Sequence, residues 1–231
     1  LAAAERALAL DANLAEAHAI KAAILAGGGH YDEAAAEIAT ALRLDPESFE
    51  VNRSAGYLSF RRQQLADAIR YFEKAMALVE TDVNSACMLL TCYTATGNSE
   101  GTRRAAQLAL ERTEAALAHD ANNGTVTGYS AYALAALGES DRARQRMSRA
   151  LLIDPDNLNM RYNFACALSV HLKETQAAVD MLEPVLANLA GGFLQHAKVD
   201  PDLDPVRADP RFKAMLAAAE ARMAGARDAT P

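Results

Sequence analysis

The chain has 231 residues, a formal charge of −7 and 51% hydrophobic residues, with only 6% aromatic and no tryptophan. The acidic balance argues against a nucleic-acid or anionic-membrane surface, which needs a basic field. No apolar run approaches the ~20 residues of a spanning helix, and much of the hydrophobic content is alanine, the best helix former.

Leu1 to Leu10 reads as a helix with Ala4, Ala7 and Leu8 on one face, ending at Asp11. It has the character of the second helix of a pair, so residues 1–14 are expected to be a half-unit of a longer protein. The first full unit, 15–48, predicts helices near Ala15–Ala26 and Tyr31–Leu44, with Gly27, Gly28 and Gly29 turning between them. Ala34, Ile38 and Ala41 form the inward stripe of its second helix. Asp45-Pro46 closes the unit. Asp11 precedes Asp45 by 34 residues, and Asp120 precedes Asp154-Pro155 by the same interval. A repeat of that length stacks helix–turn–helix units into a solenoid in which no unit buries its apolar face alone.

The second unit, 49–82, places Gly56 where a neighbouring helix crosses, and Ala68, Phe72 and Ala75 repeat the small–large–small stripe. Glu80 stands in place of the closing proline. The third unit, 83–123, carries Leu89, Tyr93 and Gly97. Between Asp45 and Asp120 lie 75 residues where two periods give 68. The seven extra residues, roughly 10 Å of helix, predict one long helix from Ser99 to His119 protruding beyond its neighbours. The fourth unit, 124–157, is regular, with Ala131, Leu134 and Gly138 in its first helix and turn, and Ala143, Met147 and Ala150 in its second.

The fifth unit, 158–189, opens with Phe164, Ala165 and Leu168. Pro184 interrupts its second helix, Thr175–Leu189, and should kink it; Gly191-Gly192 is expected to end that helix. Residues 190–231 leave the period. A short helix is expected over Phe193–Val199. Asp209-Pro210 then reads as an N-cap with proline at the first helical position of a last helix near Pro210–Ala224. Phe212, Met215, Leu216 and Ala219 on one side of that helix would cap the final apolar face.

The period, the Asp-Pro boundaries, the triplet Ala68/Phe72/Ala75 and the entry Tyr31-Asp32-Glu33-Ala34 resemble the tetratricopeptide repeat (TPR) family, over nearly the whole chain to about Leu189. The family's large aromatic early in the first helix is absent: His18, Asn52, Ala86, Thr127 and Arg161 stand there. Leu90 stands where a small residue is favoured. The resemblance implies an all-α, right-handed TPR solenoid of antiparallel helix pairs with a C-terminal capping helix. The tail DPDLDPVRADPRFKAML, with LLIDPDNLNMRYNFACAL, is similar to the C-terminal TPR region of bacterial class III adenylate/guanylate cyclase-like proteins. That implies a catalytic domain upstream and a non-catalytic, cytoplasmic signalling role for this segment. The alternative is a free-standing envelope or secretion-assembly TPR protein.

No catalytic, cofactor or metal constellation stands out. Asp200, Asp202 and Asp204 begin like a calcium loop, but no glycine stands at its sixth position and Arg211 occupies the twelfth, where an acid is needed; a proline- and aspartate-ordered turn fits better. Cys87 and Cys92 point to different faces of one helix, and Cys166 lies in another unit. All three read as small buried residues in a reducing setting. The histidines at 18, 30, 119, 171 and 196 are scattered. Arg142, Arg146 and Arg149, with Arg144 beside them, form a basic stripe that suits a solvated face paired with Glu139 and Asp141.

In this family the first helices of successive units line a concave groove. Their outward positions here are Arg53, Tyr57, Phe60 and Arg61, then Asn84 and Thr91, then Tyr129 and Tyr132, then Asn159, Tyr162 and Asn163. Tyrosine offers rigid apolar area with a polar tip, and asparagine both donates and accepts. The mixture suits a protein or extended peptide, or self-association. Replacing Tyr129, Tyr132 and Tyr162 by alanine is expected to weaken partner binding without unfolding the stack.

Overall fold

A computed structural model describes residues 1–188 and 191–228. The described residues hold helices, turns and no strand. A leading helix, α1 (Ala2–Leu10), precedes five antiparallel pairs: α2 (Ala15–Gly27) with α3 (Tyr31–Leu44), α4 (Phe49–Arg61) with α5 (Leu65–Leu78), and α6 (Val83–Ala95) with α7 (Ser99–His119). Then come α8 (Gly124–Ala136) with α9 (Ser140–Ile153), and α10 (Leu158–Cys166) with α11 (Thr175–Asn188). The tail contributes α12 (Gly191–Val199), a 3-10 segment (Pro201–Val206) and α13 (Pro210–Asp228). Helix partners touch within each pair; among the first helices α2 touches α4, and α6, α8 and α10 touch in succession, while α4 reaches α6 through the Tyr57–Asn84 hydrogen bond.

Local chemistry repeats with the period. Ser48, Asp82, Asn123 and Asn157 begin the first helices of units two to five, and each side chain accepts from a backbone N–H in the first turn. These caps satisfy donors that a helix start leaves open. The turns between paired helices need one left-handed residue. Gly29, Gly97 and Gly138 supply it at φ +87°, +70° and +79°, and Gln63 takes the same slot at +59°.

The small–large–small stripe is the packing device. Ala34, Ala41, Ala68, Phe72, Ala75, Ala143 and Ala150 have no exposed surface, and Ile38 and Met147 are buried beside them. Gly56 faces the ring of Phe72, and a Cβ there would lie 2.7 Å from it. One apolar cluster then runs from Phe60 to Ala219, joining the second unit to the tail.

Two insertions interrupt the period without interrupting the stack. The long helix α7 has 21 residues where α3, α5 and α9 have 14. Its added turns are packed rather than free. Thr113 and Leu117 are buried, Glu114 pairs with Arg146 of α9, and the Arg112 guanidinium donates to the carbonyls of Met76, in the last turn of α5, and Asp82, just before α6, at 3.3 and 2.6 Å. That last contact closes the boundary where Glu80 replaces proline. In the fifth unit α10 continues into a π turn, Ala167–His171. The π turn absorbs one extra residue, so the left-handed position moves to Lys173 at φ +62°.

The tail departs from the expectation at its start: Gly191-Gly192 opens α12 rather than ending α11; Leu189, the expected end of α11, lies outside the described residues. At its end α13 is the cap, as expected, packing on α11 with Phe212 and Ala219 fully buried and Arg222 donating to the Leu186 carbonyl. The preceding α12 turns back along the array to lie against α2 and α4.

Gly56→Ala is expected to lower stability by about 1–3 kcal/mol through overpacking against Phe72. Urea unfolding of the two chains would measure it, and an unchanged midpoint would remove Gly56 from the packing account.

Candidate functional site

The first helices present the same positions unit after unit. Tyr57, Thr91, Tyr132 and Cys166 share one register, spaced by 34, 41 and 34 residues once the α7 insertion is counted. Tyr129 and Asn163 share a second register, and Asn84 and Asn159 a third. These rows line a concave cavity of about 340 Å³.

Nine of the eleven groove positions expected from the sequence line it: Tyr57, Arg61, Asn84, Thr91, Tyr129, Tyr132, Asn159, Tyr162 and Asn163. Two do not. Phe60 is fully buried and stacks on the His196 ring at 5.0 Å between centroids, so it supports the site from beneath. Arg53 pairs with Glu50 at 2.7 Å beside the Phe49 ring and stays on the outer part of α4.

The remaining wall comes from the tail. Phe193, His196, Asp200 and Asp202 line the same cavity, with Asp200 and Asp202 only 3% and 2% exposed. Tyr162 Oη donates to Asp200 Oδ2 at 2.5 Å. Tyr132 Oη donates to Asp202 Oδ2, as does Thr91 Oγ1 at 2.9 Å. Asp200 Oδ1 accepts the Asp202 N–H at 3.0 Å, which starts the 3-10 turn, and Arg207 holds that turn through the Asp200 carbonyl at 2.7 Å and the Asp204 carboxylate at 2.6 Å. The aspartates do order a turn, as their spacing with proline suggested. What the spacing could not show is that two of them are buried against tyrosines 38 and 70 residues away. Gln63 Nε2 adds a bond to the Val199 carbonyl at 2.9 Å, tying the second unit to the end of α12.

Burial opposes charge on both aspartates. His196, 3.5 Å from Asp200, together with Tyr162 and the Asp202 N–H, nonetheless holds Asp200 below its ordinary value. Burial and the Asp200 carboxylate push Asp202 well above its own. Burial, then the neighbouring aspartates, likewise push Tyr132 and Tyr162 up. The Cys166 thiol, 3.8 Å from Asp200, is raised by burial and by that carboxylate, which leaves it a poor nucleophile. All three cysteines are buried and free. In the arginine stripe Arg142 pairs with Glu139, Arg144 with Asp141 and with Glu174 of the next unit, and Arg146 with Glu114 of α7.

No protein-family profile matches the sequence, and no curated protein matches it. Solved structures do. TTC0263, a thermophilic TPR protein of Thermus thermophilus, aligns over 89% of this chain and 99% of its own, with a TM-score of 0.53 at 19% identity. The pilF protein of Pseudomonas aeruginosa aligns over 94% of this chain and 93% of its own, with a TM-score of 0.51 at 11% identity. YrrB, described as a TPR protein with an unusual peptide-binding site, aligns over 85% of this chain and 97% of its own, with a TM-score of 0.49 at 21% identity. The fold is a TPR solenoid.

In this TPR solenoid two of the groove tyrosines are buried supports of the tail. Tyr132 and Tyr162 are 3% and 4% exposed, so replacing them by alanine would release the tail along with any partner, contrary to the expectation that the stack would be undisturbed. Tyr162→Phe removes one donor to a buried carboxylate and should cost about 1–3 kcal/mol. Amide exchange over residues 200–206 should accelerate more than exchange in α3. Equal acceleration in both would mean that the bond does not hold the tail.

Asp202 keeps its proton to higher pH in the folded chain than in the unfolded one. Stability is therefore lost as pH rises from the ordinary value of 3.8 through the raised folded value. Asp202→Asn should flatten that part of the profile, as read from thermal midpoints between about pH 4 and pH 8. A parallel profile would place the titration elsewhere.

Proposed function

We propose that the chain is a non-catalytic protein-interaction scaffold whose concave face receives a protein or an extended peptide. One observation carries the reading: the first-helix rows already hold a peptide segment, the chain's own residues 193–206, by side-chain bonds from Tyr132, Tyr162 and Thr91. The groove therefore has the chemistry to hold the polar side chains of a peptide segment. Above that segment stay the half-buried Tyr57, Asn84, Tyr129 and Asn163 and the exposed Asn159. Asn84 bridges two of them, accepting from Tyr57 Oη at 2.6 Å and donating to Tyr129 Oη at 3.0 Å. These positions are the partner-contacting set, with Arg61 at the edge.

The tail motif extends the proposal. Its similarity to cyclase-like proteins supports a cytoplasmic, bacterial signalling setting in which this region docks a regulator or a second copy of the chain and acts on an upstream cyclase domain. The intact gene tests this part: an upstream nucleotide-cyclase domain with paired metal-binding aspartates is expected, and a signal peptide alone would remove it.

Capture of partners by the immobilised chain tests the groove itself. The double variant Asn84→Ala/Asn163→Ala should lose the captured protein by about tenfold or more while keeping its thermal midpoint within a few degrees. Capture at wild-type strength would place the partner surface outside the groove.

A further inference from the structure

One junction of the stack is unlike the others. The first helices α2 and α4 pack together in units one and two, and α6, α8 and α10 pack in succession through units three to five. Between units two and three α4 does not pack on α6 in this way. The packed contact there is α5 on α6, reinforced by the Arg112 bonds to the Val79 and Asp82 carbonyls. On the concave side α4 reaches α6 through the Tyr57–Asn84 bond, at 2.6 Å.

Units of a solenoid touch their neighbours alone, so the angle at a junction is set by that junction's own contacts unless something spans it. A joint packed along α5 and α6, and thinly joined between α4 and α6, can swing about its packed edge. The angle matters because the cavity lies across the joint. Tyr57 and Arg61 of α4 line one side of it, and Asn84, Tyr129 and Tyr162 of α6, α8 and α10 line the other.

The tail crosses the same joint on its thinly joined side. Helix α12 lies against α2 and α4, and the 3-10 segment lies against α6, α10 and α11. Gln63 Nε2, just past α4, donates to the Val199 carbonyl at 2.9 Å, and the His196 ring stacks on Phe60 at 5.0 Å. Beyond the joint, Asp202 accepts from Thr91 of α6 at 2.9 Å and from Tyr132 of α8, and Asp200 accepts from Tyr162 of α10 at 2.5 Å. From Val199 to Asp202 the chain spans at most about 10 Å, and the Asp202 N–H bond to Asp200 and the Arg207 bond to the Asp200 carbonyl hold that stretch in its turn. The tie is short and has no slack.

We propose that the tail is a splint across the joint between units two and three, holding α4 at a fixed angle to α6 and so fixing the width of the cavity. It ties the joint at the edge where a swing produces the largest separation. An end cap on α11 requires α13 and none of these bonds; the splint accounts for why α12 turns back as far as the first two units. This holds whatever the groove receives.

Double electron–electron resonance on the full chain tests the splint. One pair of spin labels, at Ala39→Cys on α3 and Ser148→Cys on α9, spans the joint. A second pair, at Gln107→Cys on α7 and Ser148→Cys, lies wholly beyond it. All three positions are exposed, and the native cysteines are buried. The tie is cut by Gln63→Gly combined with His196→Ala. Glycine suits the left-handed position that Gln63 occupies at φ +59°, so the turn is kept while the bond to Val199 is lost.

The distance distribution of the spanning pair is expected to broaden and its maximum to shift, while that of the inner pair stays as in the chain with the tie intact. An unchanged spanning pair overturns the splint. Equal broadening of both pairs also overturns it, since the whole array has then loosened and the joint is not distinguished. If the double variant does not fold, Gln63→Gly alone carries the same comparison with the same outcomes.

Discussion

The architecture depends on how closely its helices can approach. Alanines 34, 41, 68, 75, 143 and 150 leave no exposed surface at the paired-helix contacts, and Gly56 leaves no room even for a methyl group against Phe72. Close approach fixes the spacing between successive first helices. That spacing in turn lets a hydroxyl on one unit reach a residue on the next. The Tyr57–Asn84–Tyr129 chain crosses three units in two bonds. A bulkier contact would widen the steps and break this line of polar groups before it unfolded the array.

The same dependence explains where insertions are tolerated. Seven residues enter α7 as whole helical turns, which returns the following helix to the same face. One residue enters unit five as a π turn, which shifts the left-handed position to Lys173 and leaves Thr175 to begin α11. Neither disturbs the rows, because each is absorbed along a helix axis and not across the inter-helix contact. The added length in α7 also serves the neighbouring unit, since Arg112 donates to the Met76 and Val79 carbonyls at the end of α5, where the sequence lacks its usual proline boundary.

The helices were legible because their signals are local. Tyr31–Leu44 and Ser99–His119 follow from apolar periodicity and the turn glycines, visible within one or two turns, and from the 34- and 75-residue intervals between aspartates. The groove rows came from the family resemblance, which puts the first helices on the concave side, with the period supplying the spacing along them. The failures are equally physical. Phe60 shares a helix with Tyr57 but lies beneath His196, and nothing local predicts a lid over it. The DPDLDP segment reads as a turn because it is one. Its second role depends on Thr91, Tyr132 and Tyr162, at separations of 111, 70 and 38 residues. No periodicity links a tail outside the repeat to positions inside it; the one available hint was a run of acids beside an otherwise unexplained row of tyrosines.

The strength of those tail contacts bears on how the groove works. Three hydroxyl bonds to buried carboxyls, at roughly 1–3 kcal/mol each, join the apolar burial of Leu203 and Val206, both without exposed surface. A partner that had to expel this segment would have to replace all of it, including partners for two carboxyls that a peptide seldom supplies. A partner that binds over the segment loses nothing and gains a floor that is already ordered. The tail is therefore better described as part of the cavity wall than as an occupant of it. It adds two buried carboxyl groups to a groove otherwise lined by tyrosine, asparagine and Arg61, and it does so with residues that the repeat itself does not contain.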